Sequence, residues 1–219
     1  MRRTVKKYAL PLLVLLCCAA MLAVDGLWQP GYWVKSAVKV VLFLAVPLGY
    51  SRWDPAFSPA ALFRLSRRGL PRALALGAGV YLVILGGYFL LRGVVDFSPV
   101  LDNLPAGVTR ETFLWVALYI SFVNSLLEEF FFRGFAYLTL ARRVRGASLF
   151  SALAFALYHT AMMLGWFPLP VFLLALAGLT VGGALFNWLN ARDGTVWTSW
   201  LVHMCANFAI NTVGFLLFQ

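Results

Sequence analysis

At 219 residues, with 62% hydrophobic and 12% charged residues, the chain has too little polar surface to face water on all sides, which excludes a soluble globular domain. At about 20 apolar residues per span plus short loops, this length accommodates about six to eight transmembrane helices and leaves nothing for a separate soluble module. The formal net charge of +10 does not point to nucleic acid, because the basic residues gather at the ends of hydrophobic runs, as topology signals and lipid-headgroup contacts do.

Arg2, Arg3, Lys6 and Lys7 precede an apolar run over residues 8–24. Further spans follow at once, so this segment reads as an uncleaved signal-anchor, and Leu15 and Leu16 before Cys17 lack the small residue that a lipidated cysteine requires. A second span covers residues 38–50 and lengthens if it reaches back over Trp33, with Lys35 and Lys39 snorkelling to the interface. Residues 52–72 carry Arg52, Arg64, Arg67, Arg68 and Arg72 around Pro55 and Pro59, and read as a basic loop. The third span, 73–91, holds several glycines for close helix approach, and the loop after it carries Asp96, Asp102 and Glu111. The fourth span, about 112–140, ends at Arg142, Arg143 and Arg145. The fifth, 147–164, closes in a Gly-Trp-Phe-Pro turn. In the sixth, 169–189, Gly178 and Gly182 offer a small-residue packing face. Arg192-Asp193-Gly194 turns the chain into the seventh, 195–218. Cys17, Cys18 and Cys205 lie in apolar segments without CxxC spacing, so they are assigned to packing rather than to a disulfide or zinc.

The expected fold is all-α: a polytopic transmembrane helical bundle of about seven spans, or eight helices if a half-helix is present. It forms one integral membrane domain over 1–219, with three N-terminal spans in 1–100 and a four-span core in 111–218. The Lys- and Arg-rich loops all fall on one side, which puts the N-terminus inside and the C-terminus outside.

One stretch breaks the apolar pattern: Asn124-Ser125-Leu126-Leu127-Glu128-Glu129-Phe130-Phe131-Phe132-Arg133. An ionisable residue at the centre of a membrane costs roughly 2.5–3.5 kcal/mol on insertion scales, so two carboxylates and an arginine together mark function or a buried pair. On a helix, Ser125, Glu129 and Arg133 share one face, and Asn124 and Glu128 the adjacent one. The chain has two histidines, both mid-span: His159, four residues after Phe155, and His203, four residues before Asn207, with Ser199 and Asn211 continuing that polar stripe. At about 1.5 Å rise per residue, Glu128, His159 and Asn207 each lie roughly 18 Å, and His203 roughly 12 Å, from the inner ends of their helices. Three helices thus bring polar residues to one level.

The residue types suggest a chemistry. A carboxylate in low-dielectric surroundings can serve as general base and then acid. A neighbouring histidine can polarise a water, while a second histidine and an asparagine amide offer oxyanion donors worth about 3–4 kcal/mol each. Glu129 and Arg133, taken alone, read as a structural ion pair; residues 130–132 and Phe155 read as packing, and Ser199 and Asn211 as interhelical hydrogen-bonders.

In this order on successive spans, Glu128-Glu129-x-x-x-Arg133, Phe155-x-x-x-His159 and His203-x-x-x-Asn207 resemble the three motifs of the CPBP family. That is the CAAX protease and bacteriocin-processing (Abi) family of glutamate-type intramembrane endopeptidases, which includes the Ras-converting CAAX endopeptidase. The resemblance covers about residues 111–218. It implies a metal-independent protease with Glu128 as catalytic base, His159 as its partner on the attacking water, His203 and Asn207 as oxyanion donors, and Glu129 and Arg133 in support. It also implies no cofactor, a peptide or protein substrate at the lipid bilayer (a CAAX-like tail, a leader or a bacteriocin-type peptide), no nucleic-acid partner, and residence in a bacterial plasma membrane. Two other readings stand beside it. One is a zinc-dependent membrane protease using Glu128, His159 and His203 as ligands, which would lack a His-Glu-x-x-His motif. The other is a non-enzymatic membrane immunity or transport protein, for which broken, repeated helices would be the sign.

Overall fold

The computed structural model describes the backbone of residues 2–64, 67 and 69–219, and side chains from Lys6 onward within them. Of the basic clusters, Arg68 and the side chains of Arg2 and Arg3 lie outside the described residues. The protein is an all-α polytopic bundle of helices α1 (Lys6–Trp28), α2 (Tyr32–Trp53), α3 (Leu70–Leu91), α4 (Phe113–Ala141), α5 (Ala147–Met163), α6 (Leu169–Asp193) and α7 (Trp197–Leu217). Six of these are long and apolar enough to cross a membrane; α5 is apolar but shorter. The fifth expected span is therefore present but broken: its first helix ends at Tyr158, His159 forms a turn, and one further turn follows over Thr160–Met163. Short helices at Pro59–Leu62 and Ser98–Asp102 lie in the two long connections.

The sequence sets these boundaries locally. Proline lies in the first turn of α3 and α6, where its missing N–H is not needed. At its C-terminal end, α6 runs four residues past the expected Leu189 and is closed by Gly194, whose φ of 67° lets its N–H reach the Asn190 carbonyl.

Burial ranks the helices. Half of the apolar window of α4 is buried (50%), against 6% for α3 and 11% for α6. The central element is thus the helix that carries the carboxylates, ringed by α1, α2, α5, α6 and α7, while α3 is held chiefly by α7. Leu82, Val83, Leu90, Leu174 and Val181 on the outer helices are exposed, as lipid-facing side chains are.

Two packing expectations change. A Cβ at Gly178 or Gly182 would meet nothing within 4 Å, so that pair is not a packing face. The close approach falls one residue on, at Gly183, where a Cβ would lie 3.1 Å from the Ala152 Cα of α5. The i,i+4 spacing was visible, but which side of the helix meets a neighbour was not. Likewise, of Gly77, Gly79, Gly86 and Gly87 in α3, Gly77 alone abuts another helix, at Cys205.

The end of the bundle that carries most basic residues is fastened by Asp54, just beyond α2. Its carboxylate accepts hydrogen bonds from Arg143 Nη2 (2.6 Å), Tyr50 Oη (3.0 Å), Lys6 Nζ (3.3 Å) and the Ala56 N–H (3.3 Å), so α1, α2 and the α4–α5 turn meet at one residue. Burial alone would raise the Asp54 pKa, but the hydrogen bonds from Arg143, Tyr50 and Ala56 outweigh it and hold the carboxyl below the usual carboxylate range. A depressed folded-state pKa adds stability that is fully present above the unfolded value of about 3.9 and is lost as pH falls through the folded value. An Asp54→Asn variant is therefore expected to be less stable at neutral pH by about 1–3 kcal/mol. Its thermal melts in detergent should also lose part of the wild-type decline at acid pH; parallel wild-type and variant curves across that range would contradict this.

Candidate active site

In α4 one ordinary α-helical turn, Ser125–Glu128, ends on Glu128 and is framed by wider π-helical stretches at Tyr119–Asn124 and Glu129–Leu138, the second beginning with Glu129. Such stretches are rare and occur frequently at functional sites. Glu128 and Glu129 are both buried but face different neighbours.

Glu128 uses its two oxygens differently. Oε1 accepts from Asn124 Nδ2 at 2.9 Å, Lys39 Nζ at 3.1 Å and Tyr158 Oη at 3.3 Å. Oε2 has no hydrogen-bond partner among the described residues and faces His159 Nε2 at 3.6 Å and His203 Nε2 at 3.8 Å. The tautomers follow from the far sides of the rings. His159 Nδ1 lies 2.7 Å from the Phe155 carbonyl, an acceptor, so Nδ1 carries hydrogen and the neutral ring turns a bare Nε2 toward Glu128. The turn at His159 sets this contact, because the chain leaves the α-helical path there, with its N–H on the Ala156 carbonyl at 3.1 Å. His203 Nδ1 lies 2.9 Å from Glu129 Oε1, an acceptor, and so carries hydrogen.

Glu129 in turn lies 3.2 Å from Arg133 Nη1. The Arg133 side chain has no exposed surface, and its guanidinium lies over the rings of Phe155 (4.1 Å) and Phe186 (4.8 Å). Phe186 also stacks on His203, with centroids 5.2 Å apart and an interplanar angle of 21°. Phe155, expected only to pack, is thus a cation–π surface and, through its carbonyl, the residue that orients His159.

Of the residues singled out from sequence, Glu128, Glu129, His159, His203 and Arg133 form one connected group. Asn207 stands one turn along α7 from His203, and its amide donates to the Ile120 carbonyl at 3.1 Å. Asn211 bonds across to α4, at the Ala117 carbonyl and Ser121 Oγ. Ser199 does not bridge helices; its hydroxyl bonds back to the Val196 carbonyl at the start of its own helix. Cys17 and Cys18 are buried and, like Cys205, carry free thiols.

Two partners of Glu128 were missed. Tyr158 directly precedes a histidine and carried no separate signal. Lys39 was expected to snorkel, but it is 7% exposed and its ammonium is held by Glu128 and by Asn124 Oδ1 at 2.8 Å. The usable signal was its place one turn beyond Lys35: one lysine near a helix end can reach the interface, whereas a second lies deeper and needs a partner. Among the described residues no group of three or more His, Cys, Asp or Glu side chains is arranged to hold a metal ion.

Comparison with known proteins extends this picture. Residues 110–209 match the family model for type II CAAX prenyl endopeptidase Rce1-like proteins. No curated protein and no solved structure matches the chain. The match spans the whole of α4, α5 and α6 and most of α7, and so contains both carboxylates, Arg133, both histidines and Asn207. Through this region the chain is similar to type II CAAX prenyl endopeptidases of the Rce1-like kind.

Proposed function

We propose that the chain is a metal-independent glutamate-type endopeptidase that hydrolyses peptide bonds of membrane-associated substrates with a water activated by Glu128 and His159. The observation that carries this reading is the pairing of Glu128 Oε2 with His159 Nε2 at 3.6 Å, two hydrogen-bond acceptors turned toward one another. A water bridging them donates one hydrogen to each and is left with its lone pairs free to attack. In the reaction, Glu128 takes the proton as the water oxygen bonds to the scissile carbonyl carbon. Collapse of the tetrahedral intermediate breaks the C–N bond, and Glu128 returns that proton to the leaving amine. A doubly protonated His203 donates from Nε2 to the oxyanion while Glu129 holds its Nδ1–H. Asn207 adds its second amide hydrogen, the first being on Ile120.

The substrate classes in view are prenylated CAAX-like tails and leader or bacteriocin-type peptides, met at a bacterial plasma membrane with the N-terminus inside. Zinc is not required on this reading, since the cation beside Glu128 is the chain's own Lys39 ammonium. The test is cleavage of fluorogenic peptides of each class by purified protein in detergent, with and without chelator, alongside Glu128→Ala. Chelator-resistant cleavage that Glu128→Ala lacks is the expected result. Cleavage abolished by chelator and restored by zinc would make Glu128, His159 and His203 ligands instead, and a wild type inert on every class would favour an immunity or transport role.

A further inference from the structure

Lys39 lies on α2, about 70 residues before the region that matches the family model, yet it touches the carboxylate at the centre of the site. Its Nζ lies 2.8 Å from Asn124 Oδ1, 3.1 Å from Glu128 Oε1 and 5.1 Å from the Tyr158 ring centroid. A lysine ammonium has three donors, and here two point at oxygens while the cation rests over an aromatic face. Asn124 completes a ring: its Oδ1 accepts from Lys39, which leaves its Nδ2 to donate to the same Glu128 Oε1 at 2.9 Å. Lys39 therefore settles which way the Asn124 amide faces as well as pulling on the carboxylate itself.

The orientation of Glu128 needs this outside help. The last torsion of a glutamate is broad, so the side chain by itself does not decide where its oxygens point. With Lys39, Asn124 and Tyr158 all on Oε1, the carboxylate plane is fixed and Oε2 is the oxygen left toward His159 and His203. Lys35, one turn away on the same helix, is bound to Asp25 at 2.6 Å and is not available to substitute.

We infer that Lys39 is a positioning residue for the hydrolytic reaction: with Asn124 it clamps Oε1 of Glu128 so that Oε2 is presented to the two histidines. This rests on the reading of Glu128 as the base. The alternative is that Lys39 merely neutralises a buried carboxylate, and the two roles differ in what Asn124 does. Removing Asn124 takes away half of the clamp and leaves the charge pair in place.

The experiment is steady-state cleavage by Lys39→Met, Lys39→Arg and Asn124→Leu, with thermal melting of each. Misplacing a reacting group by about 1 Å can lower a rate by on the order of 10²-fold. The clamp predicts a loss of about that size in kcat for Lys39→Met, with KM within about twofold. It predicts a loss of at least about tenfold in kcat for Asn124→Leu, and partial recovery in Lys39→Arg. Wild-type kcat in folded Asn124→Leu overturns the clamp, and this variant decides even if Lys39→Met does not fold. A readout without substrate separates the two levels of inference. The infrared difference between wild type and Glu128→Gln isolates the Glu128 carboxylate stretches, and these should shift in Asn124→Leu. Shifted bands in a protein that cleaves nothing would sink the peptidase reading and keep the clamp, whereas unshifted bands overturn the clamp whatever the activity.

Discussion

Glu128→Gln is expected to lower kcat by about 10²–10⁴-fold while leaving KM close to wild type, because it removes the proton acceptor and little else. The substitution is nearly isosteric. Its amide can keep an oxygen toward Lys39 and Asn124, and the buried pocket formed with Tyr158 stays filled. What disappears is the lone pair at the Oε2 position facing His159 and His203. His159→Ala should also cost kcat, but less, since the carboxylate can still take the proton from a less well oriented water. Parallel losses in kcat and KM would point instead to a binding role for Glu128, and an unchanged kcat would remove it from the chemistry. Melting curves accompany the assay, because Glu128→Gln leaves Lys39 without its counter-ion.

Arg133→Met is expected to be the most destabilising single substitution in the site. It removes the partner of Glu129 at a position with no exposed side-chain surface, and breaking a buried pair from one side typically costs about 3–5 kcal/mol. The guanidinium also gives up its stacking on Phe155 and Phe186. The double variant Arg133→Met with Glu129→Gln should recover much of the loss, because no uncompensated charge remains. Activity should not follow: His203 Nδ1 would still lack the carboxylate that holds it. Thermal melts of the two singles and the double, read as a cycle, check the argument, and strictly additive losses would show that the pair is not coupled.

Much of this was legible because polar residues are scarce in a membrane chain. Two carboxylates, an arginine and two histidines in otherwise apolar spans could be matched by depth alone, and the structure brings all five into contact. The same scarcity made the helix boundaries readable from prolines, from Gly194 and from the basic turns. What stayed hidden depended on direction around a helix or on local departures from regular helix. Gly178 and Gly182 had the right spacing and faced away from every neighbour, while Gly183 carried the contact. The π-helical stretches around Ser125–Glu128 leave no periodic trace that separates them from an ordinary helix of the same apolar composition. Lys39 was read from its own span as an interfacial residue, and only the partner four helical turns into another span reveals it as part of the site. Asn207 shows the converse: its spacing from His203 was plain, yet its hydrogen bond to Ile120 could not be read from the sequence.

The early end of α5 has a consequence for the surrounding lipid. A helix over Ala147–Met163 is about 25 Å long at 1.5 Å per residue, short of the roughly 30 Å hydrocarbon core of a typical bilayer. Hydrophobic mismatch of this kind is relieved by local thinning of the bilayer. Where the bilayer thins beside α5, headgroups and interfacial water would sit closer to the midplane than they do around α6. A lipid-anchored peptide sliding along this flank would find its polar backbone near the depth of His159 without first leaving the membrane.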